Sequence, residues 1–398
     1  MTIDKKGTYF SLIFILCYLG PGINIGTTHI RFLELICLMI FALNVDFVIS
    51  NPRTRNVLIL FFSFGSCIII SHLFGYAVLN IIPVYNDFMD LFKVCFYLAA
   101  YAIGYKTIFD KKIEKCWKTA SLIVLILLLC LAILQINKSP VAAYILKGNY
   151  LSEEFYEKAI TNRTIVRPGT TFGNTNSFTI AILPIFAMAL NYFLFYRKDV
   201  IIFLNISLSA FLVILTMSRT GFFSMSAIII VSIWYLGFTK KIALISALII
   251  LGFISLSLSQ YISPEEDLSK RLRTSFQTEE DENKMSGIDI RLLRMKAGVY
   301  KYKISPIFGW GINKSKRADR VYEEIPYDVG NYRSPSYQRV ETFGKPHNQY
   351  LEMLMKLGLP GLLIYLTFLI IMIKPAFAGR VVTKKSTWIR ISIIAIVI

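Results

Sequence analysis

The sequence predicts an all-α polytopic membrane protein with about 11–12 transmembrane helices. Three observations carry that expectation. Of 398 residues, 55% are hydrophobic and only 17% charged, a balance foreign to a soluble chain of two or three domains. Apolar runs of ~20 residues recur with little alternation, and in lipid such runs must satisfy their backbone groups within a helix. Lys and Arg outnumber Asp and Glu, 43 to 25, for a net charge of +18, and they gather in short loops between the runs.

The first run, Tyr9–Gly20, follows Lys5 and Lys6 as in a signal peptide. No small-residue cleavage pattern follows it, so it reads as a first transmembrane helix broken near Gly20-Pro21-Gly22. In all, apolar runs fall at about 8–26, 29–49, 56–78, 87–108, 117–136, 175–196, 200–217, 220–238, 241–262, 349–373 and 386–398. Counting spans puts the basic loops (Lys5/Lys6, Arg53/Arg55, Lys106 to Lys118, Arg197/Lys198, Lys240/Lys241, Lys374 to Lys385) on one side. The positive-inside rule then places the N-terminus in the cytoplasm.

Two long polar loops consequently fall outside, at about 137–174 and 263–348, the larger partly helical. The chain divides into N-terminal helices (1–136), the first outer loop with the central helices (137–262), the large loop (263–348) and the C-terminal helices (349–398). In the large loop Glu279-Glu280-Asp281-Glu282 is a solvated acidic run. After it Leu292, Met295, Val299 and Tyr302 form an apolar stripe at helical spacing, with Arg291, Arg294 and Lys301 on the other side. The bland reading of that stretch is a helix lying on the bilayer surface.

Composition also excludes. No soluble basic domain exists to carry a nucleic-acid function. The six cysteines avoid both long loops, which argues against a disulfide framework or metal cluster. No Gly-x-Gly-x-x-Gly fingerprint marks a nucleotide site. Arg31, Glu34, His72, Asp90, Lys93 and Arg219 all fall near the outer ends of their runs, so chemistry is expected at the outer face.

Four motifs lie there. Arg167-Pro168-Gly169 leads through Asn174 and Asn176 into a span; Ser218-Arg219-Thr220-Gly221 turns between two helices. Arg291 opens the amphipathic stretch, which runs on to Pro306-Ile307-Phe308-Gly309-Trp310-Gly311. The fourth, His347-Asn348-Gln349-Tyr350-Leu351-Glu352, continues to Gly358-Leu359-Pro360-Gly361 where the large loop meets a span.

This set resembles the O-antigen ligase and polymerase family, membrane glycosyltransferases that move glycans off a polyprenyl diphosphate carrier. The resemblance covers roughly 160–375. Its most specific part is His-[Asn/Ser/Gln], nine residues, then Gly-x-x-Gly, met by His347-Asn348 and Gly358/Gly361. Met295 departs from the family, which often has an aromatic residue there.

The resemblance implies a donor glycan on undecaprenyl diphosphate and, as acceptor, lipid A–core (ligase) or the next lipid-linked repeat unit (polymerase). The site would face the periplasm of a bacterial inner membrane. Such a donor is already activated, so no cofactor is needed. Arg167, Arg219 and Arg291, with Arg294 as a substitute for Arg291, would clamp the diphosphate through fixed bidentate donors. No acidic pair near these motifs calls for a metal. A histidine titrating near ~6.5 suits removal of the acceptor proton, and His347 is the histidine embedded in a motif; His29 and His72 read as structural.

Gly169, Gly309 and Gly311 would allow tight turns, and Asn174 or Asn176 would cap the next helix. Gly358 and Gly361 would let helices approach closely. Ser218 and Glu352 complete the turn and the histidine stretch, while Asn174, Asn348 and Tyr350 stand as secondary substrate contacts. The rival is a transporter or flippase for the same lipid-linked sugar. It would call for paired halves with broken helices at the midplane, and the sequence shows no internal repeat.

Overall fold

The computed structural model describes chiefly residues 45–50, 52–78, 111–147, 168–172, 175–216, 218–235, 305–311 and 348–377. Two short strands within 22–31 and scattered residues at 11–19, 39, 42, 295–303 and 392 complete the description. The protein is an all-α polytopic membrane protein. Its helices are α1 (Val45–Ser50), α2 (Pro52–Ala77), α3 (Lys111–Ile136), α4 (Pro140–Leu146), α5 (Thr175–Phe195), α6 (Val200–Leu215), α7 (Arg219–Trp234) and α8 (Gln349–Phe377). Arg55–Ala77, Cys116–Ile136, Thr175–Phe195 and Gln349–Ile371 are long and apolar enough to cross a bilayer; Val200–Leu215 and Thr220–Trp234 are shorter apolar helices. The runs expected at 87–108, 241–262 and most of 29–49 and 386–398 lie outside the described residues.

The N-terminal run departs from its expected form. Described residues between 11 and 19 are helical, and a hairpin then pairs β1 (Gly22–Ile25) with β2 (Thr28–Arg31), Gly22 opposite Arg31. A proline at 21, with no N–H to donate, disfavours continuing a helix. The β-branched Ile23, Ile25, Thr28 and Ile30 then favour extended backbone. A hydropathy window averages over such a short change.

Helix α5 is the centre of the main bundle. Its Phe178, Ile182, Leu183 and Phe186 pack with Val124, Leu125 and Leu128 of α3, Leu212 and Val213 of α6, and Met225, Ile228 and Ile229 of α7. Lipid tails are as apolar as these side chains, so close packing and buried hydrogen bonds hold the helices together. The α5–α7 crossing shows this: a Cβ on Gly221 would overlap the Thr179 methyl. Helix α2 stands apart from that core and packs on α8 through Ile68 against Leu357 and Phe61 against Phe368, ring centroids 5.6 Å apart.

A charged lock closes the end of the bundle where α3 begins and α5 ends. The Lys118 ammonium donates to Tyr192 Oη at 2.7 Å and Asp199 Oδ2 at 3.3 Å, and sits 4.1 Å from the Tyr192 ring centroid. Asn205 on α6 donates to the Lys118 carbonyl at 3.0 Å. Asp199 also caps α6 by accepting from the Ile201 N–H. Burial pushes its carboxyl up, but the Ile201 N–H, the Lys118 ammonium and the Arg197 charge outweigh this and hold it below its ordinary value.

A depressed carboxyl stabilises the fold above its unfolded value, near ~3.9, and the contribution is lost as the pH falls through the folded value. Asp199→Asn keeps a cap acceptor but removes the charge. Thermal unfolding in detergent should find the variant less stable at pH 7 by on the order of 1 kcal/mol. The difference should close in acid below the usual carboxylate range.

Candidate active site

Each motif expected at the outer face begins a helix or fixes one. Ser218 caps α7: its hydroxyl accepts from the Gly221 N–H at 3.2 Å and donates to Asn176 Oδ1 at 2.8 Å. Arg219 is thereby the first residue of α7. Asn176 lies inside α5, beyond the cap position expected for it, and bridges the starts of α5 and α7 instead. Two residues that sequence reading passed over support the corner. Thr179 and Thr216 bring their hydroxyls to 3.1 Å, and Thr216 Oγ1 accepts from the Ser218 N–H. Their signal in the sequence is faint: a threonine one turn into an apolar helix and another at the end of the next.

Beside this corner the end of the first long loop is anchored. Pro168, Gly169, Thr170 and Thr171 are buried. Thr170 has φ 43 and its N–H donates to Gln135 Oε1 of α3 at 2.8 Å. Thr171 donates to the Tyr18 carbonyl at 2.6 Å, and Tyr18 in turn donates to the Ala181 carbonyl. A left-handed threonine is strained and persists only where its surroundings fix it. Here the 2% exposed Gln135 amide does so.

Asn348 starts α8: its side chain accepts from the Leu351 N–H at 3.0 Å and its carbonyl from Glu352 at 2.8 Å. The helix then breaks. Gly358 has φ 68 and ψ −168, dividing α8 into arms before and after it. An unbroken helix would set Tyr350 and Tyr365 about 22 Å apart; their ring centroids are 6.2 Å apart, so the arms fold toward one another. The span expected at 349–373 is therefore bent, and the second arm, to Phe377, is the part of membrane-crossing length.

The 305–311 loop fills the break. Trp310 and Gly311 N–H donate to the Met355 and Lys356 carbonyls at 3.0 and 2.8 Å, and Leu359 N–H donates to the Pro306 carbonyl at 2.9 Å. The Ser71 hydroxyl of α2 adds a bond to the Lys356 carbonyl at 2.8 Å. Pro360 explains the need, because it has no N–H to offer that carbonyl. Gly309 and Gly311, at φ 67 and 85, make the turn. A Cβ on Gly309 would overlap the Lys356 backbone, one on Gly358 the Ile307 carbonyl. Gly358 thus serves a break filled by a loop, where helix-to-helix approach was expected. Gly361 makes room for the Leu357 side chain of its own helix.

Tyr350 is half exposed, and Glu352 pairs with Lys356 one turn on. His347, Arg167, Arg291, Arg294 and Asn174 lie outside the described residues, and Arg219 is described in its backbone alone. Their immediate neighbours are nevertheless fixed: Pro168 beside Arg167, and Asn348 beside His347.

Residues 204–366 match the family model described as O-antigen ligase, less than half of the chain. The match takes in Arg219, Arg291, Arg294 and His347 and leaves Arg167 and α1–α5 ahead of it. No curated protein and no solved structure matches the chain.

Replacing Gly309 or Gly358 by Ala should cost about 2–4 kcal/mol, because a forbidden φ and a backbone overlap arise together. Gly361→Ala should cost less, because its overlap with Leu357 Cβ comes without a left-handed φ. Detergent unfolding temperatures check that order.

Proposed function

Proceeding from a chain whose residues 204–366 match the family model described as O-antigen ligase, we propose that it transfers a glycan from undecaprenyl diphosphate to an acceptor sugar hydroxyl. The reaction takes place at the outer, periplasmic face of a bacterial inner membrane. Acceptors are lipid A–core, for a ligase, or a lipid-linked repeat unit, for a polymerase. The acceptor oxygen attacks the anomeric carbon as the bond to the diphosphate oxygen breaks, and the anomeric centre inverts. His347 takes the acceptor proton. Arg167, Arg219, Arg291 and Arg294 balance the charge that gathers on the leaving diphosphate.

The observation that carries this reading is Arg219 at the first residue of α7, within the family match. A cation there opposes the helix dipole by about 0.3–1 kcal/mol. An incoming anion reverses the account, because a cation and the N–H groups of the first turn then both attract it. Ser218 and Asn176 hold that turn through the hydrogen bond between them.

Purified full-length protein in detergent, given a polyprenyl-diphosphate glycan and acceptor with EDTA present, should form product. His347→Ala should lower the rate by about 10²–10⁴, and Arg219→Lys by about 10–10², since an ammonium cannot make the bidentate contact. Undiminished turnover in His347→Ala would remove that histidine from the mechanism; movement of the lipid-linked sugar without a new glycosidic bond would favour a flippase. In cells, loss of a ligase leaves long glycan on the carrier, whereas loss of a polymerase leaves single repeats on lipid A–core.

A further inference from the structure

We infer that Ser71, on a helix outside all four motifs, is a positioning residue that sets where His347 stands by holding the break in α8. The inference rests on the function proposed above. The first arm of α8 begins at the Asn348 cap and ends at Gly358, a rigid lever of about 13 Å with His347 attached at its tip. Its angle is set at the base, where the Lys356 carbonyl has lost its helical partner to Pro360. Two donors replace that partner: the Gly311 N–H at 2.8 Å and the fully buried Ser71 hydroxyl at 2.8 Å.

The two donors come from different bodies. Gly311 belongs to the loop that follows the Arg291 stretch, so its bond ties the arm to the segment bearing the diphosphate arginines. Ser71 belongs to α2, which packs along both sides of the break through Ile68 on Leu357 and Phe61 on Phe368. Phe74, one turn beyond Ser71, meets Phe308 of the loop at 4.9 Å between ring centroids. Ser71 therefore joins α2, the loop and the arm at one oxygen. A buried serine would otherwise bond a carbonyl of its own helix; this one reaches across.

Leverage makes a small change at that oxygen large at the tip. A swing of about 5° moves the end of a 13 Å arm by about 1 Å, enough to cost up to about 10² in rate. Substrate binding, which depends on the arginines, should be little affected.

The test pairs geometry with kinetics. Tyr350→Cys/Tyr365→Cys protein should form an intramolecular bridge with a short bis-thiol reagent, identified by mass spectrometry against the native cysteines. Adding Ser71→Ala should lower the yield. In the tyrosine-intact protein, Ser71→Ala should lower kcat about tenfold to a hundredfold with donor KM within twofold, and Ser71→Thr should restore both readouts. A bridge lost with kcat unchanged, a kcat lost with the bridge intact, both unchanged, or no rescue by threonine overturns the inference while the transferase reading stands. Unsubstituted protein that transfers no glycan, although the Tyr350→Cys/Tyr365→Cys protein bridges, ends the transferase reading and the positioning role with it.

Discussion

A helix that breaks away from water must find a new partner for every backbone group it frees. The break at Gly358 meets that demand with one short loop and one serine. Bending frees the Met355 and Lys356 carbonyls and the Leu359 N–H. The loop brings two N–H groups and one carbonyl, from Trp310, Gly311 and Pro306, and the count closes. Such a fit leaves little latitude in sequence. Glycine is required where the two backbones meet, proline creates the vacancy, and neither segment would hold its shape without the other. Two motifs far apart in the chain are therefore one structural unit, and they stand or fall together.

The corner between α5 and α7 solves the same problem with side chains. Ser218 spends its hydroxyl proton on Asn176 and its lone pair on Gly221, so one small group caps a helix and ties it to its neighbour. Glycine at 221 then brings α7 close enough for the Thr179–Thr216 contact to lie directly beneath. On the other flank Gln135 and the Tyr18 carbonyl pin the segment after Arg167. The backbones next to Arg167 and Arg219 are thus fixed largely from inside the bundle, by the buried Gln135, Thr179, Thr216 and Ser218.

How much of this could be read in advance depends on the range of the signal. Spans 56–78, 117–136 and 175–196 were legible because hydropathy is a local sum, and the apolar spans of the observed helices begin and end within a residue or so of them. Ser218 and Asn348 were legible as residues opening their helices. Gly358 was seen but misjudged: glycine followed two residues later by proline signals a helix end, yet the apolar run around it suggested an unbroken span. The hairpin at 22–31 was hidden in the same way. Ser71 and Gln135 left no trace, since a lone polar residue in an apolar run says nothing about a partner far along the chain. Ser71 and the Lys356 carbonyl are 285 positions apart.

The two ends of the bundle treat charge in opposite ways, and the contrast bears on function. At the start of α6 the arrangement suits stability: Asp199 caps the helix, its negative charge meets the positive end of the dipole, and Lys118 neutralises it. At the start of α7 a neutral serine caps and a cation follows, so the dipole and the guanidinium carry the same sign. By the dipole alone, an acid at 219 would serve the helix better. The arrangement becomes favourable once an anion from outside completes α7 as Asp199 completes α6. On the function proposed, that anion is the donor's diphosphate, whose charge grows as the glycosidic bond breaks. The mismatch is then largest in the free protein and smallest at the transition state, which is the sense in which a binding site accelerates a reaction.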